Sequence, residues 1–168
     1  MKVNYNKRII IVISSPSGAG KTSACHELIK RDKSIALSIS DTTRSPRDNE
    51  IDGVDYNFIN EDEFKNRIKN KSYIEHAKVF VNFYGSQYKN IISIFIVPPS
   101  KNAIYKRLKS RAVTSGDNEK AIENRMNKYE TEMRHKNDYD HVVINDKLET
   151  CVDELEKIIN NKRISLID

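Results

Sequence analysis

The sequence predicts an α/β domain: a parallel core sheet flanked by helices, with a small, mostly antiparallel lobe inserted into it. Three observations predict this class. Continuous apolar runs of the kind buried on both faces of a parallel sheet recur along the chain, "RIIIVI", "IISIFIV" and "HVVI". Stretches with helical spacing follow each of them, the βα alternation that builds parallel sheets. Between the first and second of these runs lies a turn-rich stretch of short alternating patterns, "TTRSPRDNEIDGVDYNFINEDEF" and "YIEHAKVFVNFYGS", which reads as the separate lobe.

The first strand is "RIIIVI", Arg8 to Ile13, and a helix follows from about Lys21 to Asp32 with Ala24, Leu28 and Ile29 on one face. "SIALSIS", Ser34 to Ser40, is expected as a second strand. The lobe should hold one short helix near Asp62 to Lys71. "IISIFIV", Ile91 to Val97, is a buried strand stopped by Pro98 and Pro99; Ser100 then caps a helix carrying Ala103, Ile104 and Leu108. A polar link, Val113 to Asn118, leads to a long helix through Arg134. "HVVI", His141 to Ile144, is the last core strand, and Val152, Leu155, Ile158 and Ile159 give helical spacing over Leu148 to Arg163. The chain is therefore one domain over 1–168, with a core of 1–41 and 87–168, a lid near 107–125 and the lobe at 42–86.

Composition narrows the function classes. No apolar run approaches the ~20 residues of a membrane helix, and "MKVNYNK" lacks a signal peptide's apolar segment, so a cytoplasmic protein without a membrane partner is expected. Cys25 and Cys151 are far apart, without CxxC spacing, and read as small apolar fillers. The four histidines show no metal spacing. Net charge is +5 and the pI about 9.1, but no block of like charge or basic–aromatic ladder stands out, so no nucleic-acid partner is expected.

One stretch carries chemistry by itself. "SSPSGAGKTS", Ser14 to Ser23, sits between a strand and a helix and nearly matches the P-loop pattern G-x-x-x-x-G-K-[ST]. Ser15 stands where the first Gly is usual, followed by Pro16, Ser17, Gly18, Ala19, Gly20, Lys21 and Thr22. Successive backbone N–H groups of such a turn converge on one anion, with the helix N-terminus behind them. Lys21 can reach the β- and γ-phosphates of ATP, and the Thr22 hydroxyl can hold Mg²⁺. The fold class sharpens to a P-loop kinase-like sheet.

A second cluster of motifs resembles the guanylate kinase family. "SISDTTRSPRDNEIDGVDYNF", "YIEHA" and "FYGS" are similar, in this order, to that family's nucleoside-monophosphate lobe, and the resemblance continues through "IFIVPPS", "NRM" and "YDHVVIND" over almost the whole chain. It implies transfer of the ATP γ-phosphoryl group to GMP. It also implies roles: Arg44, Arg47, Tyr56 and Tyr84 on the GMP phosphate, with Ser40, Glu75 and Ser86 reading guanine. Two guanidinium forks suit a dianion, and a carboxylate at Glu75 can accept from the ring N–H and the exocyclic amine of guanine together. Glu50 matches a position supporting the lobe. Arg107, Arg111 and Arg125 match the lid arginines of the ATP phosphates, and Asn145 and Asp146 the flanks of adenine. Lys21, Arg44 and Arg125 are the implied catalytic groups. Ala112, where Gly is common, and a long spacing from Arg111 to Arg125 depart from the lid pattern.

The larger departure falls between "FYGSQYKN" and "IISIFIV". The family carries a helix and a further core strand here, with an acidic residue near the metal, and the segment is absent. The strands "RIIIVI", "IISIFIV" and "HVVI" should still form one parallel sheet. "SIALSIS", without its usual neighbour, should stay out of the ladder with "RIIIVI" and leave a slot that a strand of a second copy could fill, making a homodimer. The alternative function is a catalytically impaired or inactive nucleotide-binding or protein-interaction module of the same family.

Overall fold

The computed structural model describes residues 9–46, 50–70, 72, 90–115 and 118–167. The chain divides into two compact units, one of Met1–Asp32 with Tyr88–Asp168 and one of Lys33–Gln87.

The first unit is built on a three-stranded parallel sheet in the order β1-β4-β5, with β1 at Ile10–Ser14, β4 at Ile91–Val97 and β5 at His141–Ile144. The three apolar runs thus share one sheet. β4 lies at the centre, and every residue from Ile92 to Val97 is buried. Its one polar residue, Ser93, is satisfied by Asp140: the Ser93 N–H and hydroxyl donate to Oδ2 at 2.8 and 2.7 Å, and the Asp140 N–H donates back to Ser93 Oγ at 3.0 Å. The outer strands are less enclosed than their continuous apolar runs predict. In β1 only Val12 is buried; in β5 only Val143 is, while Val142 and Ile144 are 43% and 57% exposed. Both are sheet edges, and the far side of β1 carries no strand among the described residues.

Helices flank this sheet. α1 (Lys21–Arg31) packs on α5 (Leu148–Ile164), bringing Ala24 and Leu28 together with the face of Cys151, Val152, Leu155 and Ile159. Each fully buried aliphatic side chain there is worth roughly 1.5–3 kcal/mol. Arg31 to Asp153 at 2.7 Å and Arg163 to Asp32 at 2.6 Å tie the C-terminal end of α1 to α5. α3 (Lys101–Ser115) is capped by Ser100, whose hydroxyl accepts from the Ala103 N–H at 3.1 Å. It extends two residues past Val113, where the polar link was expected. α4 (Glu119–Arg134) is capped by Asn118, whose Oδ1 accepts from Ala121 at 2.9 Å. Ile104 and Leu108 of α3 pack with Ile122 and Tyr129 of α4.

Both cysteines are free, and burial pushes the Cys151 thiol up to about 11 and raises Cys25 as well. Both stay protonated at neutral pH, as packed fillers do. No helix among the described residues is long and apolar enough to cross a membrane.

The second unit contains β2 (Ser40–Thr42), β3 (Tyr56–Phe58) and α2 (Glu61–Lys69). Two expectations are corrected here. The strand predicted over Ser34–Ser40 does not form; its ladder begins only at Ser40, and Leu37 and Ile39 are exposed. The β2–β3 ladder is parallel rather than antiparallel, with Ser40 opposite Tyr56. The chain at 43–55 is long enough for a crossover, which a tight hairpin turn is not. The remainder of the lobe expected to be antiparallel, "YIEHAKVFVNFYGS", lies outside the described residues.

Candidate active site

β1 ends at Ser14, and the chain turns through 15–20 into α1. The Ala19 N–H donates to the Pro16 carbonyl at 3.1 Å, closing a tight turn. Gly18 and Gly20 have φ of 84° and 91°, a left-handed backbone that other residues adopt only with strain. Gly20 is the N-cap of α1 and has no side chain to cover the first amides of the helix. Those amides, the positive end of the helix dipole and the exposed Lys21 and Thr22 therefore face outward together.

Neighbouring elements hold this loop from both sides. Ala19 is fully buried, and its carbonyl accepts from Asn145 Nδ2 at 2.7 Å and, more weakly, from Arg107 Nη1 at 3.5 Å. Arg107 Nη2 donates to the carbonyls of Asn145 at 2.8 Å and Asp146 at 3.1 Å. The guanidinium that the resemblance assigns to ATP phosphates thus rests on three backbone carbonyls, and the Asn145 amide, assigned to adenine, rests on the loop. Asp146 is exposed at the end of β5. Gly18 lies against α3, where an added Cβ would come within 3.1 Å of Leu108 Cδ2. Ser17, from the other side, donates its N–H to Glu132 Oε2 at 3.0 Å.

Gly20 has no room either: a Cβ there would collide with Asn145 Nδ2. Gly20→Ala is therefore expected to lower stability by about 1–3 kcal/mol, from left-handed strain plus the displaced amide. A denaturant midpoint equal to the parent's would show that the turn is not held by Asn145.

In the second unit, Arg44 and Tyr56 are brought together. The Arg44 guanidinium grips Glu50 with two bonds of 2.6 Å, donates to the Ser45 carbonyl at 2.9 Å, and lies 5.0 Å from the Tyr56 ring centroid and 5.6 Å from that of Phe58. The hydrogen bonds that Arg44 donates to Glu50 push the guanidinium pKa further up, against the opposing effect of burial. A fork held this way is oriented before any ligand arrives. Ser40 opens β2 at an exposed position. Asp41, which sequence reasoning passed over, is the polar anchor of the lobe: its carboxylate accepts from Arg67 at 2.7 Å and from Asn57 at 2.8 Å. Arg47, Glu75, Tyr84 and Ser86 lie outside the described residues.

Of the lid residues, Arg111 is exposed on α3 and Arg125 half-buried on α4. Glu132 is the other residue the sequence reading missed. It follows Arg125 by seven positions, two helical turns on the same face, and that spacing was the available signal.

The guanylate kinase family model matches residues 7–94 and 87–162. The chain belongs to the guanylate kinase family. A guanylate kinase of Rickettsia bellii is 38% identical over 94% of this chain and 96% of its own length, and one of Hydrogenovibrio crunogenus is 38% identical over 89% and 85%. The crystal structure of guanylate kinase from Anaplasma phagocytophilum superposes with a TM-score of 0.68 at 26% identity, covering 92% of this chain and 86% of that one. The family match comes in two stretches that meet at 87–94, where the sequence reading locates the absent segment. The alignment to the R. bellii guanylate kinase runs over 187 positions, more than the 168 residues here, so that relative carries residues with no counterpart in this member of the family.

Proposed function

We propose that this guanylate kinase family member transfers the γ-phosphoryl group of ATP to GMP, giving ADP and GDP, in the cytoplasm. The observation that carries the reading is the uncapped start of α1, where two left-handed glycines lead into an exposed Lys21 and Thr22. The relatives reported above all bear the name guanylate kinase, which lends nothing to a non-catalytic module.

In this reading the triphosphate lies on the amides of the Ser15–Gly20 loop and the first turn of α1, with the Lys21 ammonium on the β- and γ-phosphates. Arg107 and Asn145 serve the donor side by fixing the Ala19 carbonyl, and Asp146 flanks the adenine. Arg44, Arg47, Tyr56 and Tyr84 bind the GMP phosphate, while Ser40, Glu75 and Ser86 read the guanine. A GMP phosphate oxygen attacks the γ-phosphorus, the bond to the bridging oxygen breaks, and ADP leaves with that electron pair. Lys21, Arg44, Arg111 and Arg125 balance the charge that spreads over the transferring group. The rate comes from positioning and electrostatics rather than from a protein nucleophile.

The donor set fits Mg²⁺ that arrives on the nucleotide. The Thr22 hydroxyl is exposed in the first turn of α1, and no group of three His, Cys, Asp or Glu among the described residues forms a metal cage. Thr22 would hold Mg²⁺ together with the phosphates of the nucleotide, and the ion would supply charge neutralisation there.

A coupled assay of ADP release with GMP, AMP and UMP as alternative acceptors tests the proposal. ADP should form with GMP. No release above the acceptor-free background would end the kinase reading.

A further inference from the structure

We infer that Glu132 is a displaceable occupant of the donor site: its carboxylate holds a loop amide that the incoming polyphosphate takes from it, and it thereby sets the affinity for ATP. The inference rests on the reading of the Ser15–Thr22 loop as the donor site. An anion from 115 positions along the chain, Glu132 Oε2, accepts the Ser17 N–H at 3.0 Å. Carboxylate and phosphate oxygens are equivalent acceptors for such an amide, and charged acceptors hold it more strongly than neutral ones.

The build of α4 makes the carboxylate easy to expel. Ile122, Met126, Tyr129 and Met133 anchor one stripe of the helix against α3, while Arg125 and Glu132 lie at one margin of that stripe, two turns apart. Glu132 stands two residues from the helix end and is half-exposed. Release of the amide calls for movement of this side chain, not of the helix that carries it. A triphosphate on the same loop meets the carboxylate as a like charge, which favours release. Every donor that binds in this way must first break the Ser17–Glu132 bond, so the bond weakens apparent affinity without touching the acceptor lobe.

The test is calorimetric titration of the full chain with MgATP in the absence of GMP, and separately with GMP. Glu132→Gln keeps an acceptor oxygen for Ser17 and removes only the charge. It should tighten MgATP binding about threefold to tenfold, leave GMP binding unchanged, and lower KM for ATP without lowering kcat. A purely structural brace would instead lower kcat or leave both constants alone. Glu132→Ala should tighten ATP at least as much; where that variant fails to fold, the Gln variant decides. ATP binding that is lost in Lys21→Ala but unchanged or weakened in Glu132→Gln overturns the inference alone. ATP binding indifferent to Lys21→Ala overturns the donor-site reading and this inference with it.

Discussion

Replacing Lys21 with Ala is expected to abolish phosphoryl transfer, lowering kcat by about 10²- to 10³-fold or more, the scale on which one pre-positioned charge or donor at a reacting group acts. Lys21 is the first residue of α1 and exposed, and among the described residues its ammonium makes no ion pair. No hydrogen bond or ion pair of its ammonium among the described residues would be lost, so the variant should retain the parent's denaturant midpoint. GMP affinity should be nearly intact, because the residues proposed for GMP belong to the second unit. Single-turnover rates and equilibrium binding of GMP separate the two effects. A parent-like rate would show that the loop only joins β1 to α1.

The second large effect concerns the acceptor base. GMP should be preferred over AMP by about 10⁴-fold in kcat/KM, because a site built around a carboxylate leaves that group unpaired when adenine presents a lone pair to it. Glu75 carries this expectation, from its position in "YIEHA". Glu75→Gln should erode the preference for GMP while leaving the affinity for ATP within about twofold, since glutamine cannot accept from both guanine donors at once. Comparable parent rates with AMP would remove Glu75 from the role.

What the sequence made legible was local, and what it hid was long-range. The runs that became β1, β4 and β5, the Ser100 cap and the Gly18–Gly20 turn each declare themselves within a few residues, because burial, capping and left-handed backbone are decided by neighbouring chain. "SIALSIS" shows the limit. The alternation of Ile35, Leu37 and Ile39 describes side chains, while a strand needs a partner backbone that no local pattern supplies. Arg107 shows a second limit. The motif finds the residue but not its surroundings, and the carbonyls of Ala19, Asn145 and Asp146 that its guanidinium touches come from distant parts of the chain. Glu132 shows a third, since its bond to Ser17 links residues that only the finished fold brings together.

The division of the first unit into two sequence segments also sets the order in which the protein can fold on a ribosome. β1 and α1 leave the exit tunnel early, but Ile10–Ser14 has no ladder until Ile91–Val97 is made, and α1 has no packing face until Leu148–Ile164 follows. The whole of Lys33–Gln87 is synthesised in the interval. Closing so long a loop costs little more than closing one half its length, about 0.6 kcal/mol, so stability suffers little; the delay falls on the rate. Throughout it, "RIIIVI" is an apolar strand with two bare edges. Nascent chains of this protein are therefore most prone to aggregate, and most in need of a chaperone, between the appearance of β1 and that of β4.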